Sequence, residues 1–188
     1  MNKSDDFTKM DDKEVLEKIK IKNAYRKLLR NDSHLLEVDA NERSITHRFA
    51  IYLEDEFPDY NVDCEYNRND TDIKKIKKID TTDKNINIEL ISKQYISATD
   101  AKGNTVSVYP DIIIHRRGTN DGNFIAIEAK KTTTNNNNND EDKLRAYKND
   151  FLKYRHAFFV EFPVKNNFSN FNGNLDNYIR QINTRQKN

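Results

Sequence analysis

The chain has 188 residues, 34% charged and 35% hydrophobic, with a formal net charge of +1. That length suits one domain with a proper core, assigned to 12–188 behind a flexible polar segment at 1–11, and 10% aromatic content argues against global disorder. The near-zero charge excludes an overall basic field, and a single cysteine, Cys64, excludes an internal disulfide and a cysteine-based zinc site.

The N-terminus, MNKSDDFTKMDDKE, has no apolar h-region, and nowhere do eighteen apolar residues run together. No signal peptide or membrane contact is therefore expected, and the cytoplasm is the expected compartment. From Asp12 to Arg30, Val15, Leu16, Ile19, Tyr25, Leu28 and Leu29 follow helical spacing. The lysines on its other faces read as solvation, with phosphate contact as the alternative. A second helix runs from near Asp39 to before Pro58, with Ile45, Phe49 and Leu53 as its buried stripe. Glu42 lies on that stripe, pointing toward the core or sheet, although Asp39-Ala40-Asn41-Glu42 also has the form of a capping box.

Residues 60–67 alternate Val62, Cys64 and Tyr66 against Asp63, Glu65 and Asn67, the pattern of a half-buried strand with Cys64 as a packed thiol. Ile73, Ile76 and Ile79 leave 68–85 open between a short helix and an ordered insertion. Lys74, Lys75, Lys77 and Lys78 make this the densest basic patch and the best candidate for contacting a nucleic-acid backbone. The pattern over 86–96 is compatible with strand or helix. After a turn at 100–104, Val106 and Val108 are expected to begin the strand that carries Asp111.

Tyr109 to Lys131, YPDIIIHRRGTNDGNFIAIEAKK, reads as a hairpin: 111–116 and 123–130 are strands, and Arg117 to Gly122 supply the reversal. Antiparallel register then sets Ile114 beside Ile125, Ile113 beside Ala126 and Asp111 beside Glu128. Alternation puts Glu128 and Lys130 on one face and Ile125, Ile127 and Ala129 on the other. Two carboxylates opposite one another destabilise by roughly 0.2–1 kcal/mol and invite a cation. Lys130 supplies one, and an oxygen-only ligand set favours Mg²⁺ or Mn²⁺ as another.

Pro110-Asp111, a gap of sixteen residues and then Glu128-Ala129-Lys130 resembles the PD-(D/E)XK signature of the restriction-endonuclease-like nuclease superfamily. The resemblance spans about residues 40–165, leaving the first helix and an insertion at about 70–105 outside it. It implies an α/β fold, a mixed central sheet flanked by helices with an αβββαβ core. It also implies that Asp111 and Glu128 hold the metal, with Glu42 as the matching third acid from the helix before the sheet. Lys130 would position the attacking water. DNA as substrate, a helix after the Glu-Ala-Lys strand and products ending in 5′-phosphate and 3′-hydroxyl are likewise implications. The alternative is a non-catalytic nucleic-acid- or protein-binding module that keeps the same fold. A homodimer would supply the two sites that a coordinated duplex break needs.

TTTNNNNN at 132–139 reads as a polar loop near the site, after which Asp140 can cap a helix with Leu144, Tyr147 and Phe151 inward and Lys143, Arg145 and Lys148 elsewhere. His156 to Val164 is a buried strand, and 174–185 a terminal helix with Leu175, Tyr178, Ile179 and Ile182 inward. Arg116, Arg117 and Lys131 are further candidates for phosphate contact, the two arginines equally readable as solvated turn residues. His115 lies about 13 Å along the strand from Asp111, too far to share its ion.

Overall fold

The isoleucine-rich segments on either side of Gly118 fold as adjacent antiparallel strands, β6 (Ile112–His115) and β7 (Ile125–Lys131). Their register pairs Ile114 with Ile125, Ile113 with Ala126 and Ile112 with Ile127, in agreement with the sequence-based alignment. Gly118 turns the chain with φ of 78°, a conformation that costs glycine nothing. The computed structural model describes residues 5–66, 68–69, 72–73, 75–77, 105–107, 109–119, 121–134, 139–148 and 152–183.

Around this hairpin the sheet has the order β1-β6-β7-β8-β9, with β1 at Asn61–Cys64, β8 at His156–Phe162 and β9 at Ile179–Gln181. β7 and β8 run parallel and every other neighbouring pair is antiparallel. The helices α1 (Asp5–Asn31), α2 (Ser33–Glu37) and α3 (Glu42–Glu56) precede it, and α4 (Asn139–Tyr147) makes the crossover from β7 to β8. A short α5 (Asn166–Ser169) and a 3-10 turn (Leu175–Asn177) lead into β9. The fold is therefore α/β with a mixed sheet.

Alternation along the strands sorts their side chains onto two faces. Ile112, Ile114, Ile125, Ile127, Phe158, Val160 and Phe162 pack with Ile21, Tyr25 and Leu28 of α1 and Ile45, Phe49 and Leu53 of α3. Ile113, Ala126, Ala157 and Phe159 pack with Leu144 and Tyr147 of α4 and with Leu152 and Tyr154. An aromatic trio ties the first layer together: Tyr25, Phe49 and Phe162 have ring centroids 5.6–5.9 Å apart. The Tyr25 hydroxyl also donates to the Glu161 carbonyl at 2.7 Å, fastening α1 to β8.

Several expectations are corrected. α1 starts at Asp5, so it takes in residues assigned to the polar N-terminal segment. Its buried side is Glu17, Ile21, Ala24, Tyr25 and Leu28, so Tyr25 and Leu28 face inward as expected, whereas Leu16 and Ile19 are 50% and 44% exposed. The stripe on α3 is as expected, but the helix begins at Glu42 and its cap is Asn41, whose side chain accepts from the Arg43 amide at 2.9 Å. Asp39 is instead left-handed, φ 56°, so the capping box does not form. Cys64 is exposed at the end of β1, not packed.

The 68–85 region contributes extended pieces, β2 (Arg68–Asn69), β3 (Asp72–Ile73) and β4 (Lys75–Lys77). Val106 lies in β5 (Thr105–Ser107), which pairs with β4 in a separate two-stranded sheet and does not begin the Asp111 strand. Pro110 lies between the two and offers no amide to a continuous ladder. The expectations for 86–96, the turn at 100–104, Val108 and Phe151 lie outside the described residues.

The terminal helix is also absent from 174–183. Asn174 accepts from the Asp176 amide at 3.1 Å to start the 3-10 turn, and Ile179 then enters β9 against the open edge of β8. Leu175, Ile179 and Ile182 are buried as expected, since a turn followed by a strand can bury the same positions that a helix would. Among the described residues no helix is long and apolar enough to cross a membrane.

Candidate active site

The site forms where the β6/β7 hairpin meets the first turn of α3 and the inner face of α4. Asp111 directly precedes β6, and one further step of the observed register sets it opposite Glu128 of β7. Both follow the parity of Ile113 and Ala126 and so belong to the face that α4 covers. The Ala129 amide donates to Asp111 Oδ2 at 2.8 Å, which fixes the carboxylate across the strand pair.

Glu128 is only 1% exposed. Its Oε1 accepts from the Tyr147 hydroxyl at 2.7 Å, and Lys143 Nζ lies 3.5 Å from Oε2. Burial pushes its carboxyl up to about 8, the nearby charge of Asp111 adds to the rise, and Lys143 and Tyr147 offset part of it. Asp111 is raised as well, first by burial, with the Ala129 amide and Lys130 acting against the rise and Glu42 adding to it. The two acids therefore sit in one another's field with less positive charge around them than two ionised carboxylates require.

Lys130 shares the face of Glu128 and reaches the edge of the site, its Nζ 3.8 Å from both Glu42 Oε1 and Asp140 Oδ2. Glu42 Oε2 accepts from the Lys131 amide at 3.0 Å, so the first turn of α3 is moored to the end of β7. Asp111, Glu128, Lys130 and Glu42 are thus brought to one end of the β6/β7 pair.

The sequence reading missed the part that α4 plays. Lys143, expected to lie away from the core, projects inward between Glu128 and Asp140, with Asp140 Oδ1 at 2.9 Å. Asp140 is buried within the helix and does not cap it. The signal was legible in the spacing: Asp140, Lys143 and Tyr147 follow i, i+3 and i+7, one stripe of a helix whose Tyr147 the apolar pattern already places inward.

Lys131, Arg117 and Arg116 are engaged away from the acid pair. Lys131 Nζ binds Asp39 at 2.7 Å and the Ala40 carbonyl at 3.2 Å. Arg117 pairs with Asp63 through Nε at 2.9 Å, and Arg116 lies over the Tyr60 ring at 5.5 Å, both at the turn end of the hairpin. His115 meets the same Asp63 at 2.8 Å, a local brace between β1 and β6. Lys75 and Lys77 lie in β4, while Lys74 and Lys78 fall outside the described residues. Cys64 is a poor nucleophile, because desolvation and the carboxylates of Asp63, Glu65 and Asp111 push its thiol up to about 11.

Beside Asp111 opens a cleft of about 180 Å³, with walls contributed by Glu42, Arg43 and His47 of α3 and by Glu65 just after β1. Among the described residues no group of three or more His, Cys, Asp or Glu side chains forms a ready metal cluster. The donor chemistry still suits a hard ion: Mg²⁺ binds through one or two carboxylates and keeps several waters, and this acid pair is short of positive charge. Comparison with protein-family models, with curated proteins and with solved structures finds no match.

Proposed function

We propose that this chain is a metal-dependent nuclease, hydrolysing DNA phosphodiester bonds with the acid pair Asp111 and Glu128 and the amine of Lys130. The observation that carries the reading is the convergence of two carboxylates from adjacent strands at one end of a hairpin, with a lysine two residues beyond the second acid. The restriction-endonuclease-like core suggested by the Pro110-Asp111 and Glu128-Ala129-Lys130 spacing belongs to the same proposal. A strand, a hairpin, a crossover helix and a parallel strand follow α3 in that order, which supports it.

Asp111 and Glu128 would hold the ion, with Glu42 at its margin; Mg²⁺ or Mn²⁺ would supply Lewis-acid stabilisation of the charge that builds on the phosphate. The chain's own groups do the rest. The Ala129 amide keeps Asp111 turned into the site, and Tyr147 does the same for Glu128. Lys130, held between Glu42 and Asp140, is placed to orient the attacking water and to steady the developing phosphorane charge.

One observation favours the second reading, a non-catalytic binding module. Lys143 already supplies Glu128 with a cation at 3.5 Å, so the acid pair is partly neutralised from within. The test is a thermal melt with and without Mn²⁺, run beside a DNA-cleavage assay in Mg²⁺. The nuclease reading expects Mn²⁺ to raise the melting temperature of the wild type and not of Asp111→Ala, and expects only the wild type to cut. A wild type that ignores Mn²⁺ and binds DNA without cutting it would establish the module instead.

A further inference from the structure

The cleft beside Asp111 has two basic side chains at its rim that the acid pair does not use. Arg43 and His47 stand four residues apart on α3, so they share one face of the helix, and both line the cleft with Asp111 and Glu42. Both are exposed. The Arg43 side chain is 82% exposed and makes an ion pair with Glu65, Nε to Oε1 at 2.8 Å, in which Glu65 is itself 48% exposed. An open pair of this kind is weak and exchangeable.

Glu65 is also tied to the site through its backbone. It adopts a left-handed φ of 49°, rare for a residue with a side chain, and its amide donates to the Asp111 carbonyl at 3.2 Å. A strained residue is thus fixed between the acid of the site and the arginine at the rim, the kind of position where strain is retained for use.

We infer that Arg43, assisted by His47, is the phosphate-binding arm of this cleft, and that Glu65 occupies the arginine until the sugar-phosphate backbone of DNA replaces it. The inference rests on the nuclease reading and deepens it by naming where the strand lies: along α3, on the Glu42 side of Asp111. Arg43 binds the substrate directly. Its guanidinium takes two phosphate oxygens in a bidentate contact where the Glu65 carboxylate now sits, and that carboxylate, 48% exposed, turns out to solvent.

Steady-state cleavage of a labelled oligonucleotide in Mg²⁺ over a range of salt tests this on the full chain. Arg43→Ala should raise KM about tenfold with little change in kcat, and should reduce the slope of log(kcat/KM) against log salt by about one. Arg43→Lys should recover part of the loss. Glu65→Gln, which frees the arginine, should move KM the opposite way, down by about threefold. A pair that merely braces the surface would shift both variants in the same direction or neither, and either result overturns the inference while leaving the nuclease reading in place. A wild type that does not cut in Mg²⁺ or Mn²⁺ overturns both. Melting temperatures close to wild type are expected for all three variants, because both side chains are exposed.

Discussion

Replacing Glu128 by glutamine should make the protein more stable at neutral pH and, on the proposed nuclease reading, inactive at the same time. The buried carboxyl is pushed up to about 8 from an ordinary value of 4.5, so between those two pH values the native state holds a proton that the unfolded chain has released. Stability must then fall as pH rises through that window, because it falls wherever the native state binds more protons than the unfolded state. At ~1.36 kcal/mol per pH unit, the cost reaches about 3 kcal/mol at pH 7. Glutamine keeps the acceptor for the Tyr147 hydroxyl and cannot ionise, and Lys143 keeps Asp140. Setting roughly 1–2 kcal/mol against the buried substitution itself leaves a net gain of about 1–2 kcal/mol at pH 7. Urea unfolding in EDTA at pH 5 and pH 8 reads the effect directly. The wild type should lose stability between the two and Glu128→Gln, in which Asp111 alone of the pair still titrates, should lose much less, so that the two curves cross. Mn²⁺ added at pH 8 should restore the wild type alone. A wild type as stable at pH 8 as at pH 5 would refute the reasoning, since it would mean that the carboxylate ionises inside the fold without penalty.

Lys143→Met should lower stability at pH 8 by about 1–3 kcal/mol, by withdrawing the cation beside Glu128, and should enlarge the Mn²⁺-induced rise in melting temperature. Glu17 is buried on the α1 seam and its Oε2 has no hydrogen-bond partner among the described residues, so Glu17→Leu should raise the urea midpoint by an amount worth about 1–2 kcal/mol. Phe49→Ala removes the α3 ring from the Tyr25/Phe49/Phe162 trio and should cost about 3–5 kcal/mol in the same assay.

Which parts of this structure could be read from the chain follows from how many constraints each segment carries. The hairpin carries two that agree, a glycine-bearing reversal and isoleucines on both arms, and one register satisfies both; Ile113 meets Ala126 as the alternation requires. The last segment carries only one. Leu175, Tyr178, Ile179 and Ile182 fit a helix by spacing, yet three residues of strand satisfy the open edge of β8 as well as burying Ile179. Sequence spacing says nothing of an edge that exists only once β8 is in place. Leu16 and Ile19 are misplaced by spacing for a related reason. A helix with apolar residues on more than half its circumference has several possible seams, and the chosen one, through Ile21, Ala24, Tyr25 and Leu28, is set by the α3 and β8 side chains it meets.

The same distinction explains the site. Asp111, Glu128 and Lys130 are legible because strand parity and register bring them to one face, whereas for Lys143 the stripe it shares with Tyr147 competes with the ordinary expectation that a lysine on a solvated helix is a surface residue. What draws it inward is the acid pair itself. Glu128 is buried by the packing of α4 on the sheet, and among the described residues of that helix the Lys143 amine at 3.5 Å and the Tyr147 hydroxyl at 2.7 Å are the groups that answer it. On the proposed nuclease reading, Lys143 and a divalent ion would compete to neutralise one charge. On that reading the affinity of the site for metal should be set from α4, which supplies none of the acids proposed to hold the ion. Tightening of Mn²⁺ binding in Lys143→Met, measured by calorimetry at a pH where Glu128 is ionised, is the consequence that distinguishes this competition from a lysine that merely braces the helix.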